Sequence, residues 1–85
     1  MDRVEAYKIL TEAMGEFARL NYSELLEFVG TEETQSRPPS YEIGIRFEAE
    51  ADGSEGVTLR GSITDRNTYR YDPLEEVLTV TRPVR

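Results

Sequence analysis

The stretch SYEIGIRFEAEADGSEGVTLRGSIT, residues 40–64, decides the fold of this chain. Apolar and polar residues alternate on both sides of a glycine-containing segment, residues 52–56. Successive side chains of a β-strand point to opposite faces, so this period of two predicts two strands, each with one apolar and one polar face. The residues that share the apolar face are Tyr41, Ile43, Ile45, Phe47, Ala49, Val57, Leu59, Gly61 and Ile63. The stretch therefore predicts an antiparallel β-hairpin with a turn at residues 52–56.

Two registers of this hairpin keep both apolar faces on the same side. One places Phe47 opposite Leu59 and thereby brings two like charges, Arg46 and Arg60, opposite each other. The other places Phe47 opposite Gly61, gives Arg60 an acidic cross-strand neighbour and leaves a loop of about five residues, a length that hairpins use. Because opposite charges across strands are stabilising and like charges are not, we expect the second register.

The first twenty residues have helical periodicity. Asp2 is a suitable N-cap, and Glu5 follows at the spacing of a capping box, so the sequence predicts a helix over residues 2–20. Apolar residues recur every three or four positions, and we expect them to face the sheet. This stripe consists of Val4, Tyr7, Leu10, Ala13, Met14, Phe17 and Leu20.

A short second helix and a linker follow. Asn21 or Ser23 can cap the helix, and Gly30 is typical of the residue just after a helix end. Residues 31–39 have no apolar periodicity and end in two prolines, which exclude helix. We therefore expect residues 31–39 to form a mobile, exposed loop.

The C-terminal part of the chain predicts two further strands. Residues 65–67 indicate a reversal, residues 68–71 a strand, residues 72–75 a type I turn, and residues 77–82 a last strand. An alternative is that residues 57–71 form one long bent strand with a bulge.

Together these elements predict an α+β fold: two helices packed on one face of a four-stranded antiparallel meander sheet. The 85 residues form a single domain, with a helical part at residues 1–30, the loop at 31–39 and the sheet at 40–82.

Composition narrows the classes of function. The net charge of −7 argues against nucleic acid or an anionic membrane as partner. The chain has no Cys and no His, which removes disulfides, thiolate chemistry and the commonest general base and metal ligand. No apolar run approaches the roughly 20 residues of a membrane span, and the first residues do not resemble a signal peptide. We expect a cytoplasmic protein that is not an enzyme and has no cofactor or metal.

The leading functional hypothesis is a small acidic interaction module that acts through its sheet face or an edge strand. Its partner would be a second copy of the chain, as a homodimer, or another protein. Arginine binds carboxylates with two parallel hydrogen bonds, so arginines among acidic residues on the polar face mark the candidate surface. The candidate residues are Arg46, Glu48, Arg60 and Arg70.

Two alternatives from other classes remain open. The acidic charge and small size also suit an inhibitor of the antitoxin or immunity type, which would bind a basic enzyme. A small-ligand binder with a pocket lined by Tyr41, Tyr69 and Tyr71 is the second alternative.

Overall fold

The computed structural model describes residues 2–38, 40–50, 56–66 and 73–81, and within them two helices are followed by four strands. The elements are α1 (Arg3–Ala18), α2 (Tyr22–Phe28), β1 (Glu32–Arg37), β2 (Tyr41–Ala49), β3 (Val57–Asp65) and β4 (Leu74–Val80). The strands form one antiparallel sheet in the order β1-β2-β3-β4. Helix α1 packs across one face of this sheet, so the predicted α+β fold is confirmed.

Local sequence sets the ends of both helices. The Asp2 carboxylate accepts a hydrogen bond from the backbone N–H of Glu5 at 3.1 Å, as predicted. Asn21 and Glu24 form a reciprocal capping box at the start of α2. Gly30, just after the C-cap of α2, has φ +88°, a conformation that other residues rarely adopt.

The core lies between α1, α2 and the inner face of the sheet. The predicted inner face is confirmed for the odd-numbered residues of 41–47 and 57–63, which are buried, but it is wrong for Ala49, which is exposed at the end of β2. The rings of Phe17, Phe28 and Phe47 pack together, with centroids 5.0–5.7 Å apart, and connect both helices to β2. The buried apolar residues are Ala6, Leu10, Ala13, Met14, Leu25, Tyr41, Ile43, Ile45, Phe47, Val57, Leu59 and Ile63.

The predicted apolar stripe of α1 is wrong at its N-terminal end. Val4 is 81% exposed and Tyr7 is 48% exposed, whereas Ala6 is fully buried. The buried stripe runs through Ala6, Leu10 and Met14, and its small first residue brings α1 close to the sheet. Val4 and Tyr7 consequently lie on a flank of the helix.

The loop predicted for residues 31–39 is wrong, because Glu32–Arg37 form β1. The backbone N–H of Gly30 donates to the carbonyl of Phe47 at 2.9 Å, and the N–H of Phe47 donates to the carbonyl of Thr31 at 3.2 Å. These bonds align the chain with β2 as it leaves α2, and the antiparallel ladder continues to Arg37 opposite Tyr41. Backbone pairing builds this strand without an apolar face, so side-chain alternation gave no signal for it.

The predicted hairpin register is also wrong. Phe47 lies opposite Leu59, and Arg46 lies opposite Arg60. Gly61 instead lies beneath α1: a Cβ atom there would be 2.5 Å from Met14 Sδ and 3.0 Å from Leu10 Cδ1. The close packing of α1 on Gly61 selects this register.

At the C-terminal end, β3 extends through Asp65, and β4 begins at Leu74 rather than at residue 77. Leu74 and Glu75, assigned to a turn from sequence, are therefore strand residues. The strand predicted at residues 68–71 lies outside the described residues, as does most of the turn at residues 52–56.

Candidate interaction surface

The predicted site residues lie on the outer face of the sheet, opposite α1. Arg46, Glu48 and Arg60 occupy β2 and β3, whereas Arg70 lies outside the described residues. The Arg60 Nε donates to Glu48 Oε2 at 3.1 Å, so the predicted ion pair forms, but on the diagonal rather than directly across the strands. Within the described part of the chain, Arg46 has no hydrogen bond or ion pair; it lies between Arg60 of β3 and Glu32 of β1.

Two shallow depressions join on this outer face. One of about 180 Å³ is bordered by two arginines, Arg46 and Arg60, by three acidic residues and by Val77. The other, of about 390 Å³, is bordered by Thr34 and Glu42. Both are lined by Gly44 and Ser62, because the missing side chain of Gly44 lowers the surface between β1 and β3. The outer face thus carries a polar trough.

The charges around the trough are of both signs. A second cross-strand ion pair joins Arg66 Nη1 to Glu42 Oε1 at 3.6 Å, and both side chains are about half exposed. Exposed pairs of this kind contribute about 0–1 kcal/mol each. The outer face is therefore well solvated and polar.

The sheet ends in two edges, and they differ. The β1 edge has exposed Glu32, Thr34 and Ser36 on its outer side and half-buried Glu33, Gln35 and Arg37 on its inner side. The Arg37 Nη2 donates to Gln35 Oε1 at 2.9 Å and lies 4.0 Å from Glu16 Oε2 of α1. Charged residues on both faces are typical of an edge that resists further strand pairing.

The β4 edge is longer and more apolar. Val77, at its centre, is 54% exposed on the outer side beside Glu75, while the half-buried residues of the inner side are Leu74, Glu76, Leu78 and Val80. Among the described residues, β4 pairs only with β3, so the N–H and C=O groups of its outer edge have no strand neighbour.

A flank of α1 adjoins this edge. The Thr11 hydroxyl donates to Glu76 Oε2 at 3.0 Å, which places the Thr11 side of the helix toward β4. Val4 and Tyr7 precede Thr11 by seven and four residues and therefore lie on the same side of the helix. We call Val4, Tyr7 and the outer edge of β4, with Val77, the β4 surface. The sequence analysis did not predict this surface. The available signal was Ala6, which lies four residues before Leu10 and indicates a buried stripe that begins at Ala6 and not at Val4.

The tyrosine-lined pocket predicted as an alternative is not formed by Tyr41. Tyr41 is 3% exposed in the core, and its hydroxyl donates to Glu5 Oε2 at 3.4 Å. Burial raises the pKa of the Tyr41 hydroxyl, and the nearby carboxylates of Glu5, Asp65 and Asp2 raise it further. Tyr69 and Tyr71 lie outside the described residues.

Two further observations concern the described residues alone. They contain no group of three or more acidic side chains arranged to hold a metal ion. None of the helices formed by these residues has the length and hydropathy needed to cross a membrane.

The fold and its surfaces define a small α+β protein with a helix-covered antiparallel sheet. No family model, no curated protein and no solved structure matches this chain.

Proposed function

We propose that this protein is a small non-catalytic protein-binding module that pairs the outer edge of β4 with a strand of its partner. The observation that carries the proposal is the β4 surface: among the described residues, the outer edge of β4 has no strand neighbour, and Val77 at its centre is exposed. The composition supports a cytoplasmic location for such a module.

Strand addition uses two kinds of contact that β4 offers. The free main-chain groups of an edge strand give affinity, and alternate side chains give specificity. In β4 these alternate side chains are Glu75, Val77 and Thr79 on the outer face, and Val77 is the apolar one at the centre. Exposed apolar edge strands are an aggregation hazard that proteins normally avoid, so a retained one supports a binding role.

The experiment is a selection of extended peptides against the immobilised protein, followed by NMR titration of the isotope-labelled chain. We expect peptides rich in β-branched and aromatic residues, with the largest amide shifts in residues 74–80. Val77→Lys should abolish binding, because a lysine at the centre of an edge strand opposes pairing.

The matched control is Thr34→Lys, which places the same charge at an exposed outer position of the other edge. It should leave binding unchanged. Amide shifts confined to β1, or equal binding by the two variants, would refute the assignment to β4.

The outer trough favours a second candidate function, the binding of a carboxylate group. Among the described residues, Arg46 has no hydrogen bond or ion pair, and it borders a depression that is also lined by Glu32, Glu75, Glu76 and by Arg60, which is bonded to Glu48. The guanidinium of Arg46 is thus the group that could bind a carboxylate-bearing peptide or small molecule. Titration with a dicarboxylate such as succinate, observed on the arginine Nε–H signals, tests it. Arg46→Ala should remove the effect, and Arg66→Ala should not.

The alternative hypothesis, an acidic inhibitor that binds a basic enzyme, stays a prediction from the composition.

A further inference from the structure

We infer that the partner of β4 is a second copy of this chain, joined by antiparallel β4–β4 pairing about a two-fold axis at Val77. This inference rests on the proposed function of the β4 edge. Three independent features of the described residues support a second copy: the side-chain sequence of β4, the position of α1, and the size of the residues along its flank.

The sequence of β4 is compatible with pairing to itself. A two-fold axis perpendicular to the sheet keeps each residue on its own face, so a strand centred on Val77 pairs residues whose numbers are equidistant from it. Val77 then faces Val77, Glu75 faces Thr79, Glu76 faces Leu78, and Leu74 faces Val80. No acidic residue lies directly opposite another acidic residue, an arrangement that would destabilise the pairing.

Glu76 projects from the inner face of the sheet toward α1, and not from the outer face that carries Val77. Its carboxylate accepts a hydrogen bond from Thr11 of α1 at 3.0 Å. The two acidic residues of the strand therefore leave the central Val77 contact free of charge, and the pairing covers all seven residues of β4.

The position of α1 gives the second copy a helix to pack against. Helix α1 lies over β3 and β4, with Leu10 and Met14 above Gly61 and Thr11 beside Glu76. Neighbouring strands are about 4.8 Å apart, so each α1 would lie about one strand spacing from the axis and the two helices about 10 Å apart. Packed helices have axial distances of about 8–10 Å.

The flank of α1 is complementary to itself in an antiparallel arrangement. Thr11 contacts Glu76, one strand residue before the axis at Val77, and α1 runs in the same direction as β4, so the axis passes about two helical residues beyond Thr11. Thr11 then faces Gly15 of the second copy on both sides of the axis, which places two small residues where the helices meet. This pairing gives Gly15 a role, since nothing lies within 4 Å of the position of its Cβ.

The test is sedimentation equilibrium of the full chain between about 1 µM and about 1 mM, with each variant also melted thermally. We expect a concentration-dependent dimer. Gly15→Gln should raise the dissociation constant by about tenfold or more, because its side chain would collide with Thr11 of the second copy. The same variant should raise the melting temperature of the monomer, because glutamine favours helix over glycine.

Val77→Lys should also dissociate the dimer, because it places two positive charges at the axis. The matched controls are Glu12→Gln on the exposed side of α1 and Thr34→Lys on the β1 edge, and both should remain dimeric. Gly15→Gln keeps the test valid if Val77→Lys fails to fold.

Each outcome separates this inference from the proposed function. A wild-type chain that is monomeric at about 1 mM overturns the inference, and the peptide selection then decides alone whether β4 binds another protein. A dimer that resists both Gly15→Gln and Val77→Lys, or one that Thr34→Lys dissociates, overturns the inference and also argues against β4 as the binding edge.

Discussion

The two edges of the sheet, β1 and β4, solve the problem of an unpaired strand in opposite ways. The β1 edge carries polar side chains on both faces, and Arg37 ties it to Gln35 and lies near Glu16 of α1. The β4 edge carries a central exposed valine, and the side of α1 that is bonded to it through Thr11 carries the exposed Val4 and Tyr7. Both strands are edges by topology and both carry charged residues on each face, but β1 has no apolar side chain, whereas four of the seven residues of β4 are apolar.

The position of α1 explains much of this contrast. The helix lies over β3 and β4, and three of the four inner side chains of β4 are apolar, while the fourth, Glu76, accepts a hydrogen bond from Thr11 of the helix. The inner side of β1 lies beyond the helix and is polar. The difference in side-chain polarity between the β1 and β4 edges thus follows from which half of the sheet α1 covers.

The largest expected effect comes from Phe47→Ala, which removes the ring that supports the β1 half. Phe47 contacts Phe17 and Phe28, and its backbone pairs with Gly30 and Thr31 ahead of β1. We expect a loss of about 3–5 kcal/mol in the free energy of unfolding, measured by urea denaturation. Hydrogen exchange should increase more in β1 than in β4.

The matched control is Arg46→Ala, at the neighbouring exposed position of β2. It should change stability by less than about 0.5 kcal/mol. A loss below about 1 kcal/mol for Phe47→Ala would mean that the aromatic cluster does not hold the β1 half.

The contact between α1 and β3 is tested by two glycines on opposite faces of the sheet. Gly61→Val should destabilise by about 1–3 kcal/mol, because its Cβ would meet Met14 and Leu10. Gly44→Val on the outer face meets only the side chains of Glu32 and Ser62 and should cost far less. Thermal melts of both variants check this, and equal losses would contradict the account of the register.

Smaller effects of opposite sign are expected at two other glycines: Gly30, which follows α2, and Gly15, which lies within α1. Gly30→Ala should destabilise by about 1 kcal/mol, because φ is +88° where the chain enters β1. Gly15→Ala should stabilise by up to about 1 kcal/mol, because Gly15 is helical and its Cβ position is open. Urea denaturation measures both values, and the same sign for the two changes would contradict this assignment.

The smallest effect concerns pH. The pKa of Tyr41 is raised in the folded chain, so folding favours the neutral hydroxyl. This contribution to stability is complete below the unfolded pKa of about 10 and is lost as the pH rises through the higher folded pKa. Absorbance titration of tyrosinate should show a late-ionising tyrosine, and Tyr41→Phe should remove that step. A normal titration for every tyrosine would count against the burial of Tyr41.

Sequence reasoning predicted the elements whose signals are local. The caps at Asp2 and Asn21 involve residues three positions apart, and the alternation of residues 41–47 depends on strand geometry alone. The exposed positions of Arg46 and Arg60 followed from the same alternation. The sequence did not predict that Arg46 and Arg60 lie directly opposite each other, because two registers that differ by two residues place the same side chains on the same faces.

The amino-acid sequence by itself determined two capped helices, an amphipathic hairpin and the faces of its strands, since each depends on interactions between near neighbours. Tertiary packing decided the register, the existence of β1 and which flank of α1 is buried. The physical reason is that these three depend on how closely α1 approaches Gly61 and how the chain leaving α2 pairs with Phe47. The β4 surface, where we place the function, is a product of that packing.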